Sequence, residues 1–184
     1  GVPYQQQMWG AGFQSTQAPE FLALNPNALV PVIRDGGLVL WESNTICRWL
    51  AAEHSRDDLL PAAPRERAQV ERWMDWQATE LNSAWRYAFH GLVRKSAQHQ
   101  DAAQIAAGVR EWNRMMTLLD AHLQRSGDHA TGARFTLADI VLGLATHRWL
   151  ASPIERPALG AVGAYYERVR ARPAFRAQQL DATP

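Results

Sequence analysis

The spacing of apolar and polar positions changes early in the chain, and this change divides the sequence into two regions. In the first region short apolar runs are separated by Gly, Pro and Asn, a pattern typical of mixed α/β structure. Residues 29–34 and 38–41 predict two strands, because Asp35-Gly36-Gly37 between them is a strong hairpin signal. Residues 43–53 then predict a helix with one apolar stripe, and residues 3–8 predict a possible further strand.

Beyond this region apolar residues recur at helical spacing to the end of the chain. We predict helices over residues 65–94, 101–125, 136–151, 158–172 and 173–179. The segment 55–64 holds two prolines and the pair Asp57-Asp58, a composition typical of a linker. The predicted organisation is therefore a domain over residues 1–54, a linker over 55–64 and an all-helical domain over 65–184.

The composition is that of an ordinary globular protein, and it argues against several classes of function. Apolar residues make up 47% and charged residues 20% of the 184-residue chain, close to globular averages. The net charge is only +1 and no long basic run is present, which argues against a nucleic-acid partner. The longest near-apolar stretch, residues 140–145, is far too short to span a bilayer, so no membrane partner is predicted.

The cysteine and histidine content and the absence of known motifs exclude further kinds of site. The single cysteine, Cys47, excludes an internal disulfide and fits a reducing cytoplasm, and we expect it to be a small buried apolar side chain. The six histidines have no ligand spacing, so no metal is predicted. The sequence contains no phosphate-binding loop, dinucleotide fingerprint or CxxC pair, which leaves nucleotide and common zinc chemistry without support.

Pro31 opens the first predicted strand, a position that suits a residue with no N–H and a fixed φ. We predict a cis Val30-Pro31 bond, since an X-Pro bond is the one place where cis costs little. In that geometry the N–H and C=O of Val30 would face outward and could pair with an extended peptide. The plain alternative is a proline that only marks the start of a strand.

Glu42 and Ser43 stand where the helix predicted over residues 43–53 begins. Ser is a favoured helix cap, and its hydroxyl beside the first-turn amides can hold a carboxylate. Glu42 could pair with an ammonium group, so these two neighbours could bind the head group of an amino acid. The alternative is that Ser43 is only a cap and Glu42 a solvated surface charge.

A second strong local pattern runs from Phe135 to Ile140. Thr136 is followed three residues later by Asp139, which predicts a capping box at the start of a helix. This element indicates folding rather than catalysis.

These motifs, in this order and spacing, resemble the glutathione-binding half of the cytosolic glutathione transferases of the bacterial type. The elements that carry the resemblance are Asn25-Pro26, Val30-Pro31, the hairpin and Glu42-Ser43. Later matches extend it over nearly the whole chain: Trp73 to Leu81, Phe135 to Ile140 and Arg172 to Phe175. The resemblance implies a thioredoxin-like α/β domain followed by an all-helical domain. It also implies an enzyme that conjugates the glutathione thiolate to small hydrophobic electrophiles in the cytoplasm.

The resemblance further implies roles for individual residues. The residues implied to bind glutathione are Val30, Pro31, Glu42 and Ser43. In a homodimer Asp75 would reach the γ-glutamyl group bound by the neighbouring subunit, and Asn82 and Trp85 would line the pocket for the second substrate. The structural alternatives are a surface charge for Asp75, a polar helix face for Asn82 and a core position for Trp85. We expect the dimer to form through the helices around Trp73 and Trp112, which carry more large apolar residues than one buried face needs.

Two departures from the family pattern bear on activity. The thiol-activating residue of the family would precede Gly1, on an opening strand and the start of a first helix, so no catalytic residue is named. We expect the active enzyme to have that segment. The loop reads Ala28-Leu29 where the family has Gly and a polar residue, which removes a polar side chain near the peptide.

Three alternative functions therefore stay open. One is a glutathione-dependent thiol transferase or reductase, and a second is a non-catalytic glutathione-binding or interaction module on the same fold. The third is glutathione-dependent dehalogenation or ether cleavage, which differs only in the electrophile.

Overall fold

The computed structural model describes residues 2–10 and 12–178, and the chain divides into two compact units, Gly1–Ser55 and Arg56–Pro184. The first unit is built around a β-hairpin and one longer helix. Its elements are α1 (Pro19–Leu22), β1 (Val32–Asp35), β2 (Leu38–Trp41) and α2 (Ser43–Glu53). Its small core contains Phe21, Ile46 and Ala51.

The hairpin predicted from Asp35-Gly36-Gly37 is confirmed. Strands β1 and β2 are antiparallel, with Val32 opposite Trp41 and Asp35 opposite Leu38, so that two residues form the turn. Gly36 has a φ of +54°, a conformation that glycine adopts at no steric cost. Strand β1 begins at Val32 rather than at residue 29, since Pro31 has no N–H to give to a ladder.

The strand predicted over residues 3–8 is wrong. These residues join no ladder within the described part of the chain, and only Trp9 forms an isolated bridge, with Gln14. The Trp9 ring instead packs on Phe21, with the ring centroids 5.0 Å apart. An apolar run becomes a strand only where a neighbour takes its N–H and C=O groups, and here β1 pairs with β2.

The second unit is helical throughout its regular structure. Its helices are α3 (Pro64–Trp76), α4 (Asn82–Leu92), α5 (Ala102–Ser126), α6 (Leu137–Ala151), α7 (Gly160–Arg170) and α8 (Pro173–Arg176). A π-helical turn, Gln77–Leu81, joins α3 to α4, and a 3₁₀ turn, Ala97–His99, precedes α5. The single regular helix predicted over residues 65–94 is therefore interrupted in its middle, which no local sequence signal indicates.

Helices α5, α6 and α7 pack their largest side chains into one core. Trp112, Met116, Leu142, Val162 and Tyr165 have no measurable exposure to solvent. Helices α6 and α7 approach closely at Gly143, where a Cβ atom would lie 2.6 Å from the Val169 side chain. This contact therefore tolerates no larger residue at Gly143 unless Val169 or its helix moves.

Two buried aspartates satisfy backbone groups that would otherwise have no partner. Asp120 on α5 accepts a hydrogen bond of 2.8 Å from the N–H of Val162, in the first turn of α7. Thr136 and Asp139 form the predicted capping box at the start of α6. Burying such carboxylates is tolerable only because every one is hydrogen-bonded.

The helices around Trp73 and Trp112 were expected to carry more large apolar residues than one buried face needs, and to form a dimer through the surplus. That expectation of surplus apolar surface is wrong; the dimer itself stays a prediction. Trp73 is 7% exposed and Trp112 is fully buried within the second unit itself. The large apolar side chains of these helices pack inside the unit. The ring centroids of Trp73 and His122 are 4.2 Å apart. On α5 the exposed large apolar side chain is Leu118, at 42%.

Candidate functional site

A buried asparagine fixes the loop that leads into β1. Asn25 is only 3% exposed, and its Nδ2 donates to the carbonyl oxygen of Leu29 at 2.7 Å. Its Oδ1 accepts from the backbone N–H and from the side-chain amide of Asn27, both at 3.0 Å. The loop that precedes Val30 is thus held from inside by one side chain, a role that sequence reasoning did not assign.

Val30 and Pro31 follow this loop at the edge of the first unit. The bond between them is cis, as predicted. The Val30 side chain is 54% exposed, and within the described part of the chain its N–H and C=O make no backbone hydrogen bond. An extended peptide could therefore pair with the main chain at this point.

Glu42 connects β2 to α2 in a conformation that is rare for a residue with a side chain. Its φ is +71° and its ψ is +110°, and such backbone strain costs about 1–3 kcal/mol and concentrates at functional sites. The prediction that Ser43 caps α2 is wrong, because Ser43 is the first helical residue and Glu42 holds the cap position without a side-chain hydrogen bond. Both side chains are exposed.

The hairpin register brings these two pairs of residues to the same end of the sheet. Val32 and Trp41 are the outermost partners of the ladder, so Pro31 and Glu42 are the next residues outward on two neighbouring strands. Adjacent strands lie about 4.8 Å apart. The structure therefore gathers Val30-Pro31 and Glu42-Ser43 at one exposed edge, with the positive end of the α2 dipole beside them.

Cys47 lies one turn into α2 and is half-buried rather than buried. Burial raises the pKa of its thiol, against a smaller lowering by the charge of Arg48. Because the thiolate is the reactive form of cysteine, this environment is unlike that of a catalytic nucleophile.

The three remaining predicted site residues belong to the second unit. Asp75 is exposed near the end of α3, and its backbone carbonyl accepts a hydrogen bond of 2.9 Å from the Thr79 hydroxyl. Asn82 follows the π-turn, and its Oδ1 accepts from Nε2 of Gln77 and from Nε1 of Trp85, both at 2.9 Å. π-turns occur frequently at functional sites, and this one places Gln77 and Asn82 within hydrogen-bonding distance.

Trp85 is half-buried in an aromatic cluster with a cation on one face. Its ring lies 5.1 Å from Phe89 and 5.9 Å from Trp112. The guanidinium of Arg148, on α6, lies 4.6 Å from the Trp85 ring centroid, a distance typical of cation–π attraction. Burial, and after it the charge of Arg94, lowers the pKa of Arg148, yet an arginine remains charged in any such setting.

Two properties of the described residues bear on the class of site. No group of three or more His, Cys, Asp or Glu side chains there could hold a metal ion. Among the helices within that part of the chain, none is both long and apolar enough to cross a membrane.

Comparison with known proteins identifies relatives over most of the chain. Residues 1–53 match the family model described as glutathione S-transferase, N-terminal domain. Glutathione S-transferase GstB of Escherichia coli K12 is 37% identical over 178 residues, which cover 88% of this chain and 86% of that protein. Elongation factor 1-gamma 2 of Oryza sativa is 32% identical over 131 residues, covering 70% of this chain but only 30% of that protein.

Among solved structures, the theta class glutathione S-transferase of Xanthomonas axonopodis pv. citri has a very similar fold. Its crystal structure with glutathione bound superposes with a TM-score of 0.88 and 41% sequence identity, over 96% of this chain and 84% of that one. The arrangement of a small antiparallel sheet followed by a helical region is therefore a glutathione S-transferase fold.

Proposed function

Because the chain belongs to the glutathione S-transferase family, we propose that it conjugates the thiolate of glutathione to small hydrophobic electrophiles. It is a transferase by that membership, with glutathione as its co-substrate. The observation that carries the proposal is the exposed Glu42-Ser43 corner, because a strained residue whose side chain makes no capping hydrogen bond suits a binding surface.

In this proposal each exposed group at the edge of the first unit takes one part of the tripeptide. The Ser43 hydroxyl and the positive end of α2 hold the carboxylate of the γ-glutamyl head group. The Glu42 carboxylate pairs with its ammonium group, and the main chain of Val30 pairs with the peptide. Pro31 and the Asn25-fixed loop keep Val30 at the strand entrance.

Conjugation then requires that bound glutathione is present as a thiolate. A free thiol has a pKa of about 8.5, so the site must lower this pKa for the thiolate to dominate near neutral pH. No residue is assigned to that task. Cys47 does not compete for the role, since burial raises the pKa of its thiol.

On the acceptor side we propose that Trp85 forms a wall of the electrophile pocket and that Asn82 positions it. The support is the hydrogen bond of 2.9 Å from Trp85 Nε1 to Asn82, which fixes the indole plane. Asn82 therefore acts through Trp85 rather than by touching the electrophile.

We also propose a cytoplasmic homodimer in which Asp75 reaches the partner's γ-glutamyl group. Exposed Asp75 on α3 and exposed Leu118 on α5 support an interface along these helices, and a single cysteine fits a reducing compartment. Light scattering at micromolar concentration tests the assembly, and a monomer would contradict it.

Calorimetric titration with glutathione tests the head-group site. We expect Ser43→Ala and Glu42→Gln each to weaken binding by about 1.5–3 kcal/mol, which is roughly 10- to 150-fold in Kd. Thr45→Ala is the matched control, because Thr45 is an exposed hydroxyl residue in the same first turn. If Ser43→Ala and Glu42→Gln both leave the affinity for glutathione unchanged, the two residues have only a structural role.

A second candidate function is a non-catalytic interaction module. The similarity to elongation factor 1-gamma over 70% of this chain favours it. Turnover with an aryl halide separates the two functions: glutathione binding without any conjugation, across aryl halides, epoxides and hydroperoxides, would favour the module.

A further inference from the structure

The indole of Trp85, proposed above as a wall of the electrophile pocket, is covered differently on its inner and outer sides. Trp112 marks the core side, because it is fully buried and its ring centroid lies 5.9 Å from that of Trp85. The guanidinium of Arg148, which is only half-buried, lies over the ring at 4.6 Å from its centroid. An electrophile that packs on this wall from the solvent side therefore meets a cation as well as an aromatic surface.

The guanidinium of Arg148 has no anionic partner. In the part of the chain that the structure describes, it forms neither an ion pair nor a hydrogen bond. Its Nε atom is buried, whereas its two Nη atoms keep access to solvent. A charged group that is partly withdrawn from water without a partner is costly, and the Nη atoms are the ones that a ligand can reach.

A second cation strengthens the positive potential at this place. The guanidinium of Arg94, just after α4, lies 5.4 Å from the centroid of the Phe89 ring, and that of Arg148 lies 5.5 Å from the same centroid. After burial, the charge of Arg94 is the second cause that lowers the pKa of Arg148. Both arginines remain charged, and a carboxylate beside them would be held by charge-assisted hydrogen bonds.

We propose that Arg148 is the specificity-determining residue of the acceptor pocket and that it selects flat aromatic electrophiles carrying a carboxylate or a similar anionic group. The ring of such a substrate packs beside Trp85, and its anionic group accepts hydrogen bonds from the Nη atoms of Arg148. This substrate class rests on the proposed function, since it concerns the same pocket. It narrows the acceptors from hydrophobic electrophiles in general to those with one negative charge.

Calorimetric titration of the full chain with two unreactive arenes, at neutral pH, tests the charge preference. The anionic probe is 3,5-dinitrobenzoate, and 3,5-dinitrobenzamide is the neutral probe of nearly the same shape. We expect the unaltered chain to bind the benzoate about tenfold more tightly than the amide. Arg148→Gln should raise the Kd of the benzoate by about tenfold and change that of the amide by less than about twofold. Arg148→Lys keeps the charge without the planar fork and should fall between the two.

The neutral probe separates charge recognition from packing. Trp85→Leu should weaken both probes, because both use the aromatic wall. Arg125→Gln is the matched charge control, since Arg125 is exposed and lies 13 residues, or about 20 Å, along α5 from Trp112. It should leave both affinities unchanged, and thermal melts check that every variant is folded. An equal loss of affinity for both probes in Arg148→Gln would mean that Arg148 only supports the indole, and would overturn the proposal.

Turnover of the matching chloroarenes follows the same preference into the reaction. With 4-chloro-3,5-dinitrobenzoate the thiolate of glutathione forms a C–S bond at the chlorinated carbon. Chloride leaves with the electron pair of the broken C–Cl bond, and the carboxylate is unchanged. The kcat/KM, divided by the rate constant of the uncatalysed reaction, is compared with that of 4-chloro-3,5-dinitrobenzamide. We expect the higher ratio for the benzoate, and loss of that preference in Arg148→Gln but not in Arg125→Gln.

The two sets of measurements distinguish failure of this proposal from failure of the proposed function. Preferential binding of the benzoate without turnover of either chloroarene would overturn the conjugating activity, while the selection of an anion by Arg148 would stand. Turnover of both chloroarenes together with equal affinity for the two unreactive probes would overturn the role of Arg148, while conjugation would stand.

Discussion

Helices α2 and α6 both begin beside an acidic residue, but the two helix starts are built in opposite ways. At α6 the carboxylate of Asp139 is fully buried and accepts from the N–H groups of Ala130 and Thr136, each at 2.8 Å. At α2 the carboxylate of Glu42 is exposed, caps nothing and follows a strained backbone. The carboxylate of Asp139 accepts hydrogen bonds from backbone N–H groups and so stabilises the fold. The carboxylate of Glu42 accepts no such capping bond and so remains available to a ligand.

Removal of the buried carboxylate is the strongest test of this contrast. Asp139→Ala leaves two buried N–H groups without an acceptor, and we expect a loss of about 3–5 kcal/mol in the free energy of unfolding, measured in urea. Asp139→Asn keeps an accepting oxygen and should lose less. A loss below about 1 kcal/mol for the alanine variant would show that water replaces the carboxylate.

The exposed edge formed by Val30-Pro31 and Glu42-Ser43 should not tolerate every substitution nearby. Asn25, which is buried beneath it, tests this expectation. Asn25→Ala removes three hydrogen bonds from the loop before Val30, so we expect about 2 kcal/mol of destabilisation together with weaker glutathione binding. Asn27→Ala, which removes only one side-chain bond of this set, is the control. If both variants behave alike in calorimetry and denaturation, Asn25 does not position Val30.

Relief of the strain at Glu42 should separate stability from binding. Glycine adopts a positive φ readily, so Glu42→Gly is expected to raise the free energy of unfolding by about 1 kcal/mol. It should also weaken glutathione binding, because the carboxylate is lost. Glu42→Ala loses the same carboxylate but keeps the Cβ atom, and should weaken binding without the gain in stability. A destabilised glycine variant would mean that the glutamate backbone is not strained.

The smallest effect is expected at a third helix start, where an exposed aspartate caps α5. The Asp101 carboxylate accepts from the N–H of Gln104 at 2.9 Å, and this bond is the main reason why the pKa of Asp101 is lowered. Its stabilisation is present above the unfolded-state pKa, about 3.9, and is lost as pH falls through the lower folded-state pKa. Asp101→Ala should therefore lower Tm slightly at pH 7, with a difference that disappears at strongly acidic pH.

Features that depend on neighbouring residues were predictable from sequence, whereas features set by distant packing were not. The turn at Gly36 and the box of Thr136 and Asp139 each lie within a few residues, so local chemistry determines them. The positive φ of Glu42 was missed because serine has the higher propensity to cap a helix. The register of the hairpin, which ends at Trp41, instead puts Glu42 at the cap position. Burial of Trp73 and Trp112 was missed because the helix pattern shows apolar faces but not which of them pack together.

The π-turn at Gln77–Leu81 has a consequence for the angular positions of side chains along the helix that contains it. A regular helix turns by about 100° per residue, and a π-turn inserts about one residue without adding rotation. Asp75 and Trp85 would therefore project about 80° apart on an uninterrupted helix, but project about 180° apart across the π-turn. One continuous helix thus directs an acidic residue and an indole to opposite sides, and deletion of the one inserted residue would keep that arrangement while returning the turn to regular α-helical geometry.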